Sequence, residues 1–143
     1  MTKPRVFTVA KVPCKSCPYR KDVPSGVWAK EEYDKLPEYD DCDHAPGLDR
    51  IMARLKRFDC HQSNGKLCAG WVGCHGADNL VALRMIESMG NVVHKDVWNY
   101  KSPVPLWESG AAAAAHGKRE IRRPKEMARR MVATLARKLR RGE

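Results

Sequence analysis

Phenylalanine is nearly missing from this chain, with two in 143 residues, and no apolar run reaches the length of a membrane span. The first lack leaves the core to Trp, Tyr and aliphatic side chains. The second excludes a transmembrane helix. There is no phosphate-cradling glycine loop, no Gly-x-Ser-x-Gly and no His-Glu-x-x-His, so the usual signatures of nucleotide, esterase and metalloprotease chemistry are missing. No apolar stretch follows the lightly charged start Met1-Thr2-Lys3-Pro4-Arg5-Val6, so no secretion signal is expected and the chain is read as cytoplasmic. Acid is scarce at one end. Residues 116–143 carry 11 Lys/Arg against 3 Asp/Glu, whereas residues 1–115 carry 16 against 14. The net charge of +10 is therefore mostly a property of the tail.

Thiol is what the chain has in excess. In a reducing compartment, six cysteines are not expected to be held as disulfides, and paired spacings point instead to metal or redox chemistry. Cys14 and Cys17 have two residues between them and are bracketed by Pro13 and Pro18. Two thiolates on such a turn can reach one metal. After a 42-residue spacer come Cys60 and Cys68, with seven residues between them. The four thiols satisfy the tetrahedral, sulfur-rich preference of Zn2+. They also suit an iron–sulfur cluster, the alternative cofactor. A redox pair at Cys14 and Cys17 is a third use of the spacing, without the βαβ surroundings that would support it. His61 follows Cys60 and is a candidate further ligand or hydrogen-bond donor to the site. If a helix begins at Cys68, then Cys74 or His75 could enter the site. Cys42 is read as incidental, and His94 and His116 as surface or packing residues.

The periodicities are mainly helical. A short strand is expected before residue 13. Ser25 is placed to cap a helix running through Val27, Trp28, Tyr33 and Leu36 and ended by Pro37. Leu48, Ile51, Met52 and Leu55 form an amphipathic stripe. A further helix starts near Cys68 or Asp78 and runs to Met89, with Leu80, Leu83, Met85, Ile86 and Met89 inside and Gly90 as its stop. Residues 92–107 read as an irregular packing segment. Ala111 to Ala115 favour helix until His116-Gly117. The last helix starts near Pro124, with Met127, Met131, Val132, Leu135 and Leu139 on one stripe. Around it lie Arg122, Arg123, Arg129, Arg130, Arg137, Lys138, Arg140 and Arg141, cations suited to phosphates or to an acidic protein surface.

The run Cys14-x-x-Cys17-Pro18-Tyr19-Arg20, then Asp22 to Trp28, Tyr33-x-x-Leu36, Phe58-x-Cys60-His61 and Cys68-x-Gly70-Trp71 resembles the DUF6283-like family of small Cys-rich proteins of unknown function from actinobacteria and their bacteriophages. The resemblance covers roughly residues 12–90. It implies that Cys14, Cys17, Cys60 and Cys68, with His61, form the characteristic set, and that the cytoplasm is a host's if the chain is phage-encoded. It implies no activity. Gly26-Val27-Trp28 also resembles the turn of WhiB-type iron–sulfur regulators, although there the turn follows all the cysteines.

The expected architecture is mainly α with irregular loops. Residues 1–107 would form a small metal-stabilised domain, and 108–143 an Ala-rich linker and a basic amphipathic helix. The expected function is that of a non-enzymatic accessory or regulatory protein that binds zinc and engages nucleic acid, or a nucleic-acid-associated protein, through that helix. The alternatives are an iron–sulfur redox sensor and a metal-dependent enzyme using Asp40, Asp41, Asp43 and His44.

Overall fold

Val6–Val9 (β1), rich in the β-branched residues that favour extended chain, is the central strand of a three-stranded parallel sheet of order β2–β1–β3. The computed structural model describes residues 3–40, 48–60 and 65–141. β2 is Lys66–Leu67 and β3 is Val92–Val93. The register pairs Thr8 with Lys66 and Val9 with Leu67 on one side of β1, and Val6 with Val92 and Phe7 with Val93 on the other. Around this small sheet lie seven helices among the described residues: Lys30–Asp34 (α1), Leu48–Arg54 (α2), Ala69–His75 (α3), Val81–Ser88 (α4), Lys95–Trp98 (α5), Gly110–Lys118 (α6) and Glu126–Arg140 (α7). The chain is mainly α, as its periodicities indicate. The sheet is an addition, because two-residue strands leave no alternation to read.

The first helix is shorter than expected, and Ser25 does not cap it. Gly26 has φ +85°, which an α-helical first turn cannot contain. The Trp28 backbone N–H donates instead to Tyr33 Oη at 3.0 Å. The Ser25 hydroxyl, buried, donates to the Gly117 carbonyl at 3.0 Å and accepts from the Glu120 N–H at 2.8 Å. Pro37 does not end α1 either. It opens a 3-10 turn over Leu36–Tyr39, where its missing N–H is harmless. The expected helix from Cys68 or Asp78 to Met89 is two helices, because Gly76 takes φ +81° and a 3-10 turn over Ala77–Asn79 follows. Leu80, Leu83 and Ile86 are buried as expected, but Met85 and Met89 are exposed. In α2, Leu48, Ile51 and Met52 are exposed too, so its stripe is not a core face.

Trp71, Leu36, Leu67, Leu83, Val72 and Val97 are fully buried at the centre of the main core. Ala113 and Ala114 belong to the same core, where the sequence suggested a linker. His116-Gly117 does not break α6. Gly117 lies against the Tyr33 ring, where a Cβ would overlap it, so the glycine serves close packing rather than termination. The 92–107 segment, expected to be irregular, contributes β3 and α5. The His94 ring caps α5, its Nδ1 accepting from the Asp96 N–H at 3.0 Å. A second, smaller apolar cluster joins Val23, Val27 and Ala128, with Trp28, Met131 and Leu135 against it. It moors α7. Of the expected α7 stripe, Met131 and Leu135 serve the mooring, whereas Met127, Val132 and Leu139 are exposed.

Candidate metal centre

Two pieces of chain, far apart in sequence, bring the thiols together. The first is the turn after β1, closed by the Cys17 N–H on the Cys14 carbonyl at 2.9 Å. The buried Ser16 carbonyl accepts from Trp28 Nε1 at 2.7 Å. Arg20 Nη1 donates to the Pro13 carbonyl at 2.9 Å, while Nε and Nη2 grip the Asp22 carboxylate at 2.8 and 2.6 Å. That bidentate pair fixes the guanidinium under the turn. In the second piece, 58–60 runs antiparallel to 66–68. The Cys60 N–H donates to the Lys66 carbonyl and the Cys68 N–H to the Phe58 carbonyl, both at 2.8 Å. Cys68 then precedes α3, whose second residue is Gly70. A Cβ there would overlap Cys17 Sγ and lie 2.9 Å from Tyr19 Cβ. Only a glycine lets α3 come this near the turn.

Cys17 Sγ lies 3.8 Å from Cys68 Sγ. The Cys14 thiol meets the Ser16 hydroxyl at 3.9 Å, and its pKa is shifted by the neighbouring Cys17 and Cys60 thiols. Cys17 and Cys68 are thus in direct sulfur contact, with Cys14 in the same turn as Cys17 and Cys60 on the segment that leads to Cys68 by way of residues 66–68. Cys17 and Cys68 are buried, and Cys14 and Cys60 half-buried. Among the described residues, no three His, Cys, Asp or Glu side chains already enclose a common point. His61 lies outside the described residues, as do Cys42 and His44. The donor set is nonetheless chemically apt. With bonds of about 2.3 Å, two thiolates on one tetrahedral zinc stand about 3.8 Å apart, the separation found for Cys17 and Cys68. A four-iron cube places each thiolate on a different iron and so holds the sulfurs further apart.

The protonation of these groups follows from their packing. The hydrogen bond with Cys17 raises the Cys14 pKa, opposed by the one from Cys60. For Cys17, the bond from Cys14 favours the thiolate, but the Cys68 bond and burial together prevail and push its pKa well up. Without a cation these two thiols keep their protons at neutral pH. A divalent metal would displace protons and neutralise the charge that makes crowded thiolates unfavourable.

Cys74 and His75 do not join this cluster, contrary to one reading of the helical spacing. They line a separate cavity of about 550 Å3 with Tyr39, Asp40 and Glu108. The His75 ring is held by Tyr19 Oη, 3.1 Å from Nε2, and faces Asp40 Oδ1, 3.6 Å from Nδ1. Burial lowers the His75 pKa to about 4, although Asp40 pulls it the other way. The ring is thus neutral in the fold and titrates near 6.5 once unfolded. Stability should be fully present above pH 6.5 and fall by about 3 kcal/mol as the pH drops to 4. Urea unfolding across that range should show a flatter pH slope for His75→Gln than for wild type; equal slopes would refute the assignment. The Asp40 carboxylate accepts from the Gly110 and Ala111 N–H groups at 2.6 and 2.8 Å. It is committed to starting α6, which argues against its use as a hydrolytic metal ligand. Asp41 and Asp43 lie outside the described residues.

The eight cations singled out in the tail, Arg122, Arg123, Arg129, Arg130, Arg137, Lys138, Arg140 and Arg141, are all exposed. Arg130 pairs with Glu126 at 2.7 Å. Gly70, Trp28 and Arg20, which build the thiol site without supplying a donor, were not singled out by the cysteine spacing. Gly70 sits inside the Cys68-x-Gly70-Trp71 run, and its place two residues beyond a thiol was the available signal.

A family model described as a family of unknown function, DUF6283, matches residues 9–136. No curated protein and no solved structure matches the chain. No helix among the described residues is long and apolar enough to cross a membrane.

Proposed function

Because the chain belongs to the DUF6283 family, a family of unknown function, we propose a function from its site: a zinc-stabilised, non-enzymatic scaffold that holds a basic helix for contact with nucleic acid. The observation that supports the metal is the Cys17–Cys68 pair, at the edge length of a single-metal tetrahedron, with Cys14 and Cys60 on the same two pieces of chain. Zinc would be held by these four thiolates and would tie the turn after β1 to the chain entering α3. Its chemistry there is structural, a cross-link between segments that share little secondary structure.

The nucleic-acid part rests on α7. Its mooring on Val23, Val27 and Trp28 uses Ala128, Met131 and Leu135, which leaves Arg129, Arg137 and Arg140 exposed on other sides of the helix. Such a row meets phosphates without reading bases. A labelled DNA duplex and a labelled single-stranded RNA, titrated at several salt concentrations, should bind with log K falling linearly against log salt. Replacing Arg129, Arg137 and Arg140 together with Ala should make the slope shallower by about two to three, near one for each phosphate no longer neutralised. Failure to bind either probe at low salt, or binding indifferent to salt, would sink this reading.

A further inference from the structure

The inner flank of α7 carries a feature that phosphate contact does not use. A groove of about 360 Å3 runs between α7 and the thiol turn. Met127, Met131 and Leu135 form its floor, and Lys15, Arg130 and Lys138 stand along it. Met127 is 67% exposed and lies beyond the small cluster that moors the helix. An apolar floor gains nothing from phosphates and much from aliphatic side chains. Methionine is the side chain that adapts best to differing apolar partners. A floor of this kind on a helix, edged by charge, is the setting in which amphipathic helices are bound through residues spaced three and four apart.

We propose that this groove is a docking site for an acidic amphipathic helix of a partner protein, with aliphatic residues on the floor and carboxylates against Lys15 and Lys138. The edge charges choose among occupants. A second copy of this chain would bring its own basic α7 against Lys15 and Lys138, beside an Arg130 whose charge is already met by Glu126, in a protein of net charge +10, and would be repelled. An acidic helix is attracted at the same place. The site is distinct from the phosphate-facing arginines, because Arg129, Arg137 and Arg140 are not among its lining residues.

The test uses the full-length protein and a synthetic, fluorescein-labelled helical peptide of about five turns, with Leu on one face and Glu elsewhere. Two controls accompany it: the same Leu face with Lys in place of Glu, and the acidic composition with Leu scattered. Anisotropy should show the amphipathic acidic peptide binding at least about tenfold more tightly than either control. Met127→Ser should weaken that binding about tenfold, and Met127→Leu should retain it. Because Met127 is exposed, both variants should keep the wild-type melting curve and the wild-type affinity for DNA. The proposal is overturned if the scattered or basic peptide binds equally well, if Met127→Ser binds like wild type, or if sedimentation shows a dimer that Met127→Ser converts to monomer.

Discussion

Replacing Cys17 or Cys68 with Ser should leave no folded protein at neutral pH. Both side chains are buried, at 0% and 2% exposure, and their sulfurs stand 3.8 Å apart. A structural zinc bound by four thiolates contributes on the order of 10 kcal/mol to folding. A domain of this size has a total stability of roughly 5–15 kcal/mol. Serine is a poor zinc ligand, so the loss is comparable to the whole stability. Far-UV circular dichroism with urea titration reads the result. Cys74→Ser is the internal control: its sulfur lies in the other cavity, and the variant should fold. If Cys17→Ser and Cys68→Ser melt within a few degrees of wild type, the thiol cluster is not a structural centre.

Gly70→Ala should be the second most damaging change, and its sign is informative. At an open position in a helix, Gly to Ala stabilises by up to about 1 kcal/mol. Here the added Cβ overlaps Cys17 Sγ and sits 2.9 Å from Tyr19 Cβ. Tyr19 Cβ sits at the root of a buried ring, and Cys17 Sγ is fully buried against Cys68 Sγ, so neither can swing aside freely. Cys17 is held in the turn by its N–H on Cys14, and Tyr19 is fully buried and hydrogen-bonded to His75. α3 would have to lift off, carrying Trp71 out of the core and Cys68 away from Cys17. We expect a loss of about 3 kcal/mol or more, at the upper end of overpacking effects, with weaker metal retention. Chemical denaturation of the two proteins under the same conditions decides it. An unchanged or raised midpoint would mean that the turn and α3 can separate freely.

The candidate site was more legible than the fold. Cysteine spacing is local and chemically specific, so Cys14, Cys17, Cys60 and Cys68 stood out without knowledge of the path between them. What brings them together was not legible, since it depends on tertiary approach: Gly70 against Cys17, Trp28 on the Ser16 carbonyl, Arg20 on Pro13. Helices were visible where an apolar stripe meets a core, as at Leu80, Leu83 and Ile86. They are hidden where backbone conformation intervenes, as at Gly26 and Gly76, both with positive φ. Gly117 shows the reverse case. It resembles a helix stop, yet it lies inside α6 because Tyr33 needs the space. The parallel sheet was illegible because β2 and β3 are two residues each, too short for any pattern. The amphipathic character of α7 is legible, but its stripe is wider than the cluster that moors it, and Met127 is the part of that surplus that reaches the groove.

The most direct test of the central claim is native mass spectrometry of the protein purified without oxygen or added metal, combined with thiol alkylation. We expect one zinc ion per chain, with Cys14, Cys17, Cys60 and Cys68 protected until a chelator removes the metal and the fold is lost with it. A folded, metal-free chain whose four thiols are alkylated freely would contradict it.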